Sequence, residues 1–289
     1  MWTKVFPKYL MGKLDPTDGT YHRVSIICED KHVESTLKYD CGVYFVFSCK
    51  TSILKIKTKI HFRYKSLITS ELQVLGKINE NWELINKVTH NSLTNSDTCV
   101  VFSYDLLGYD YEEFQVCLPV QGRVDDYLWI ETDTEPVFKV LPLSVVLLGS
   151  SVAQDSNCIS HGNICCCAYR KYNVNIATVG ISWKSSLTCL ELLEKLKMMP
   201  VKIVVMDLHH VDDISFNNFV KMFPKAYYPV IENYFRQDVL DLCDKYNKII
   251  EPVHINGDGR YDQVHLNSYG SQIYIEELQK RNIIETERS

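Results

Sequence analysis

The sequence is short of the features that would place it in several broad classes. It has no Lys/Arg-rich block, and 31 basic against 36 acidic residues leave a net charge of −5. Nucleic acid is therefore not the expected partner. The N-terminus, Met1 to Leu14, carries scattered charges and no long apolar core, and no later run is long enough to cross a bilayer. Neither a signal peptide nor a membrane partner is expected. Internal repeats, low-complexity tracts and flexible linkers are missing as well. Cysteine is plentiful at eleven, but no Cys-x-x-Cys pair is matched by a second, and Cys165, Cys166 and Cys167 are adjacent on an expected helix. Successive side chains there diverge around the axis and cannot all face one ion. Buried reduced thiols in a cytoplasmic protein are the expectation, with no metal ligands.

The material for full cores is present. At 289 residues with 46% hydrophobic content, the chain can form one large or two ordinary domains. Residues 21 to about 140 read as β throughout. The expected strands are Val24–Ile27, Gly42–Ser48, Ile53–Phe62, Glu71–Leu75, Trp82–Lys87, Cys99–Ser103, Glu113–Leu118 and Tyr127–Glu131, all rich in β-branched and aromatic residues. So many strands without helical periodicity imply a sandwich or jelly roll.

After Pro142 the period changes. Expected strands at 144–149, Val174–Val179, Val201–Asp207, Ala226–Ile231 and Ile249–Val253 alternate with expected helices near Gly162–Lys171, Leu187–Met199, Phe216–Phe223, Phe235–Tyr246 and Ser268–Arg281. Such alternation implies an α/β domain whose parallel sheet is covered on both faces. The expected organisation is a β-domain over 1–142 and an α/β domain over 143–289.

Two stretches carry the chemistry. Leu143-Ser144-Val145-Val146-Leu147-Leu148-Gly149-Ser150-Ser151-Val152-Ala153-Gln154 reads as a strand buried on both faces that ends in a sharp turn. Sites in open α/β sheets gather at the carboxyl ends of strands, so Ser151 is the candidate nucleophile. A simple strand exit is the alternative reading. Near the other end, Asp262-Gln263-Val264-His265-Leu266-Asn267 places a carboxylate three residues before an imidazole. On a helix that spacing turns both side chains to one side. An Asp can then hold the His in the tautomer that accepts a proton from serine.

A strand-Gly-x-Ser block followed late in the chain by Asp-x-x-His resembles the SGNH, or GDSL, hydrolase superfamily. Val-Leu-Leu-Gly-Ser-Ser-Val-Ala-Gln resembles one branch, in which an N-terminal β-sandwich of jelly-roll type precedes the hydrolase domain. Phe114–Pro119 and Asp125–Ile130 resemble the end of that β-domain, Gln154 and Gly162 match the branch's first block, and Asn157 lies in the same loop. The resemblance implies a compact flavodoxin-like parallel sheet of about five strands, with Ser151 as nucleophile, His265 as base and Asp262 orienting it. It also implies an oxyanion donor after the second strand, where Gly180-Ile181-Ser182-Trp183 stands with Trp183 in place of a second Gly. An aromatic lid packed on the β-domain and a substrate contact are both open to that Trp. The superfamily's Asn after the third strand is replaced by Asp207-Leu208-His209-His210, where a neutral His209 or His210 can donate one N–H.

The implied activity is that of a serine esterase, a hydrolase working through an acyl-enzyme on Ser151 without metal or organic cofactor. Its implied substrate is a small-molecule ester, a short acetyl-type acyl group on a sugar or other small metabolite. An acyltransferase using the same acyl-enzyme, a catalytically silent ligand-binding protein, and a metal-dependent hydrolase built on Asp207, His209 and His210 are the alternatives. An oligomer is compatible with the sequence.

Overall fold

The computed structural model describes residues 1–62, 72–85, 87–89, 97–106, 108–120, 122–153, 160–232, 237–260 and 265–285. In the first half lie β1 (Trp2–Lys4), helix α1 (Lys31–Leu37), β2 (Tyr44–Ser48), β3 (Ile53–Phe62), β4 (Gln73–Ile78), β5 (Asn81–Leu84), β6 (Lys87–Thr89), β7 (Asp97–Asp105), β8 (Glu113–Cys117), β9 (Gly122–Glu131) and β10 (Val137–Lys139). They pair antiparallel in two sheets of five, ordered β1-β9-β3-β7-β6 and β10-β2-β8-β4-β5. Period-2 alternation sends one face of each sheet inward. Phe45, Phe47, Val74, Phe114 and Val116 of one sheet share a core with Leu54, Ile56, Phe102, Leu128 and Ile130 of the other.

The second half contains β11 (Leu143–Gly149), α2 (Ile164–Tyr172), β12 (Asn175–Gly180), α3 (Leu190–Lys197), β13 (Lys202–Val205), α4 (Asp213–Met222), α5 (Gln237–Lys245) and α6 (Ser268–Lys280). β11 is central, with β12 and β13 parallel on either side. One face of this sheet packs on α3 and α4 through Val146, Leu148, Leu192, Leu196, Phe216 and Phe219. The other packs on α2 and α6 through Val145, Leu147, Ile164, Ala168, Tyr274 and Leu278. The expected fourth and fifth strands are reduced to parallel bridges, Tyr227 to Val204 and Ile231 to Val253. Pro229 and Pro252 explain this, since a residue without an N–H interrupts a ladder and is tolerated only toward a sheet edge.

Two further differences from the sequence reading bear on the site. Val24–Ile27 forms no strand, and α1 interrupts the expected run of β structure; Asp30 caps it by accepting the His32 and Val33 N–H groups. Leu14, Val24, Cys28, Val33 and Leu37 are buried against the α/β core and not against the β sheets. Residues 14–37 thus form a strap that crosses from one half to the other.

Helix α2 shows why three consecutive cysteines are tolerated. Cys165 and Cys166 join Tyr44, Val46 and Cys117 of the β half. Cys167 turns into the α/β core with Ile164 and Ala168. One helix fills both cores, as the angular spacing of its side chains requires. Among the described residues no helix is long and apolar enough to cross a membrane.

Candidate active site

The turn after β11 is built around Gly149. A Cβ there would lie 2.2 Å from Asp207 Oδ2 and 3.0 Å from Ala153 Cβ, so only glycine fits. The Gly149 N–H donates to Ser186 Oγ at 2.8 Å, and the Ser150 N–H donates to Asp207 Oδ2 at 2.9 Å. Asp207, just beyond the end of β13, is fully buried. Its other oxygen accepts the His209 N–H at 3.2 Å. Burial pushes its carboxyl above the usual carboxylate range, against these hydrogen bonds and the nearby His209. The carboxylate therefore cross-links the turns after β11 and β13.

Ser151 emerges half-buried from this turn, and its Oγ lies 3.1 Å from His265 Nε2. Two residues 114 apart in sequence are thus brought to hydrogen-bond distance. With its proton on Nδ1, the imidazole presents an Nε2 lone pair that accepts the serine O–H, the arrangement a nucleophile and its base require.

His265 does not stand on the helix that the Asp-x-x-His spacing suggested. It precedes α6, which begins at Ser268 with Asn267 as its cap, accepting the Tyr269 and Gly270 N–H groups. The Asn267 side chain takes up backbone donors of the first turn and so fixes where the helix starts. The Asn267 amide also donates to the carbonyls of Asp258 and Arg260. A Cβ on Gly270 would lie 2.0 Å from Gly259 O, so the helix start is pressed against the 257–260 turn. Asp262, Gln154 and Asn157 lie outside the described residues.

β12 ends level with β11, Gly180 opposite Gly149. In the loop that follows, the Ile181 N–H donates to Gly149 O and the Lys184 N–H to Ile181 O. Trp183 adopts the left-handed backbone expected of glycine, with φ +65°, and its side chain is 80% exposed. That exposure overturns the lid packed on the β-domain. The strap holds this loop from outside. Fully buried Arg23 donates to Gly180 O at 3.2 Å and to Thr36 O at 3.3 Å. His32 Nε2 lies 3.1 Å from Ser182 O, and Lys184 pairs with Asp30.

His209 and His210 follow β13. His209 and His210 line a cavity of about 380 Å³ with Val211, Asp213, Asp238 and Leu242, and neither Ser151 nor His265 is among its described lining. Among the described residues Asp207, His209 and His210 do not converge as a metal-binding cluster. In the sequence Asp207 stands only as a candidate ligand in a metalloenzyme; a carboxylate closing an apolar strand is the available sign of its structural role. Ser186 and Arg23 carried no such sign.

No family model matches the chain, and no curated protein matches it. Solved structures do. A protein assigned as a GDSL-like lipase from Bacteroides ovatus superposes with a TM-score of 0.72 at 16% identity, covering 99% of each chain. A salicylyl-acyltransferase from a tetracycline biosynthetic pathway superposes with a TM-score of 0.61 at 12% identity, over 98% of this chain and 99% of that one. At these identities the likeness establishes the fold: this is a mixed α/β protein of GDSL-like fold.

Proposed function

We propose that the chain is a serine ester hydrolase of the SGNH/GDSL type with Ser151 as its nucleophile. The observation that carries this reading is the 3.1 Å contact between Ser151 Oγ and His265 Nε2 at the carboxyl end of the central strand. His265, oriented by Asp262, takes the serine proton as Oγ attacks the acyl carbonyl. We assign the oxyanion donors to the Ser151 N–H and one N–H of the Gly180–Trp183 loop, with His209 as a further candidate. His265 then returns the proton to the leaving alcohol. Water, deprotonated by the same imidazole, attacks the acyl-enzyme and releases the acid.

In this reading the two antiparallel sheets form the jelly-roll sandwich of the β-domain, Pro142 marks the domain boundary, and the parallel sheet with its two bridged segments is the flavodoxin-like core. The substrate is a short-chain ester of a sugar or other small metabolite, and the reduced thiols suit a cytoplasmic enzyme. The acyltransferase neighbour favours one second reading, in which an alcohol or amine replaces water at the acyl-enzyme.

Turnover of p-nitrophenyl acetate by wild type, Ser151→Ala and His265→Ala tests the proposal. Each variant is expected to lose about 10³-fold or more; wild-type rates in both would contradict it. Repeating the reaction with candidate alcohols and amines, and weighing acid against transferred ester or amide, separates hydrolysis from transfer.

A further inference from the structure

The strap and α3 bring together a side-chain cluster that has no part in the chemistry above. Cys28 and Cys189 are buried, at 3% and 5% exposure, and their Sγ atoms lie 3.8 Å apart. Cys189 Sγ lies 3.6 Å from Glu191 Oε2, and one ligand atom from each of the three residues falls within 4.8 Å of the others. Tetrahedral zinc with bonds of about 2.3 Å to sulfur and about 2.0–2.2 Å to oxygen requires sulfurs about 3.8 Å apart and sulfur–oxygen separations of about 3.5–3.7 Å. The Sγ–Sγ and Sγ–Oε2 separations of 3.8 and 3.6 Å already have those values. Glu191 is exposed, so its side chain can close the remaining distance and leave a fourth position open to water.

We propose that Cys28, Cys189 and Glu191 form a binding site for a thiophilic divalent cation of the zinc class, which clamps the strap to α3. Two S–metal bonds and one O–metal bond form, and the two thiol protons leave to solvent. The carboxylates of Glu191, Glu34 and Asp30 lie near Cys28 and suit a cation, while burial raises both thiols and sets a cost that the S–metal bonds must exceed. Thiolate ligands select zinc-class ions over magnesium or calcium. The clamp would act on the same strap whose Arg23, Asp30 and His32 hold the Gly180–Lys184 loop.

The test is titration of the reduced, chelator-treated full chain with Co²⁺ and then Zn²⁺. The proposal expects one Co²⁺ per chain with a thiolate-to-cobalt charge-transfer band and the intense visible bands of a tetrahedral site, displaced by stoichiometric Zn²⁺ with a rise in Tm. Cys28→Ser and Cys189→Ser abolish the band. Exposed Glu191→Gln, which leaves the core intact, weakens binding by about tenfold or more, while Cys243→Ser leaves it unchanged. Absence of the band, its survival in both Cys28→Ser and Cys189→Ser, or no Tm response to Zn²⁺ in the wild type would overturn the proposal. So would titration in which Glu191→Gln binds as wild type.

Discussion

The turn after β11 and the loop after β12 leave neighbouring strands at the same level, yet they are held in opposite ways. The first is fixed from within the α/β half: Gly149 admits the Asp207 carboxylate, which takes the Ser150 N–H, and Ser186 takes the Gly149 N–H. The second is fixed by the strap, through Arg23, His32 and Asp30, each 150 or more residues away in sequence. The position of Ser151 is thus a property of the sheet that carries it. That of its companion loop depends on the N-terminal half folding against that sheet.

Substitutions at the two supports should separate these effects. Gly149→Ala has the largest expected consequence. Its Cβ meets a carboxylate that is buried and bonded and cannot yield cheaply, so stability should fall by about 1–3 kcal/mol. The shifted Ser151 should cost about 10²-fold in kcat/KM. Denaturant melts and esterase assays on the same preparation check both. Equal activity in Gly149→Ala would mean that the turn tolerates another path.

Arg23→Met comes next. It removes the guanidinium donor from the Gly180 and Thr36 carbonyls and a cation near Asp40, whose carboxyl burial already raises. A loss of about 2–4 kcal/mol is expected, with activity down about tenfold, a factor worth about 1.4 kcal/mol at the transition state. Hydrogen exchange should rise in 180–184 before it rises in β11. Loosening of both together would erase the distinction between the two loops.

Trp183→Gly is the smallest. An L-residue in the left-handed region costs about 1–2 kcal/mol, part of which glycine recovers and part of which it returns as chain entropy. With the indole in solvent little burial is lost, so a net gain of up to about 1 kcal/mol in the melt is expected. A large loss of stability would show that the side chain is held after all.

The same contrast explains what the sequence disclosed. The β11 block was legible because its determinants are local: an apolar run, a glycine where a Cβ would collide, and a hydroxyl just beyond. The alternation of strands and helices after Pro142 was legible for the same reason. The outer segments Ala226–Ile231 and Ile249–Val253 look like full strands because they are apolar; Pro229 and Pro252, which interrupt the hydrogen-bond ladder, reduce them to bridges. Asp207 and Arg23 look like ordinary charged residues in the sequence; their roles arise from burial, which only the assembled fold imposes. At Trp183 the sequence shows a large side chain where a glycine is expected, and only the fold shows that the residue takes up the left-handed backbone with its indole in solvent. The pairing of Cys28 with Cys189 has no short-range signal at all.

The most direct measurement is intact-mass labelling with a fluorophosphonate probe, which reacts with a serine only when its oxygen is activated. The account predicts a single adduct on the folded wild type, absent in Ser151→Ala and much slower in His265→Ala. No adduct on the wild type, or an adduct that persists in Ser151→Ala, would contradict it.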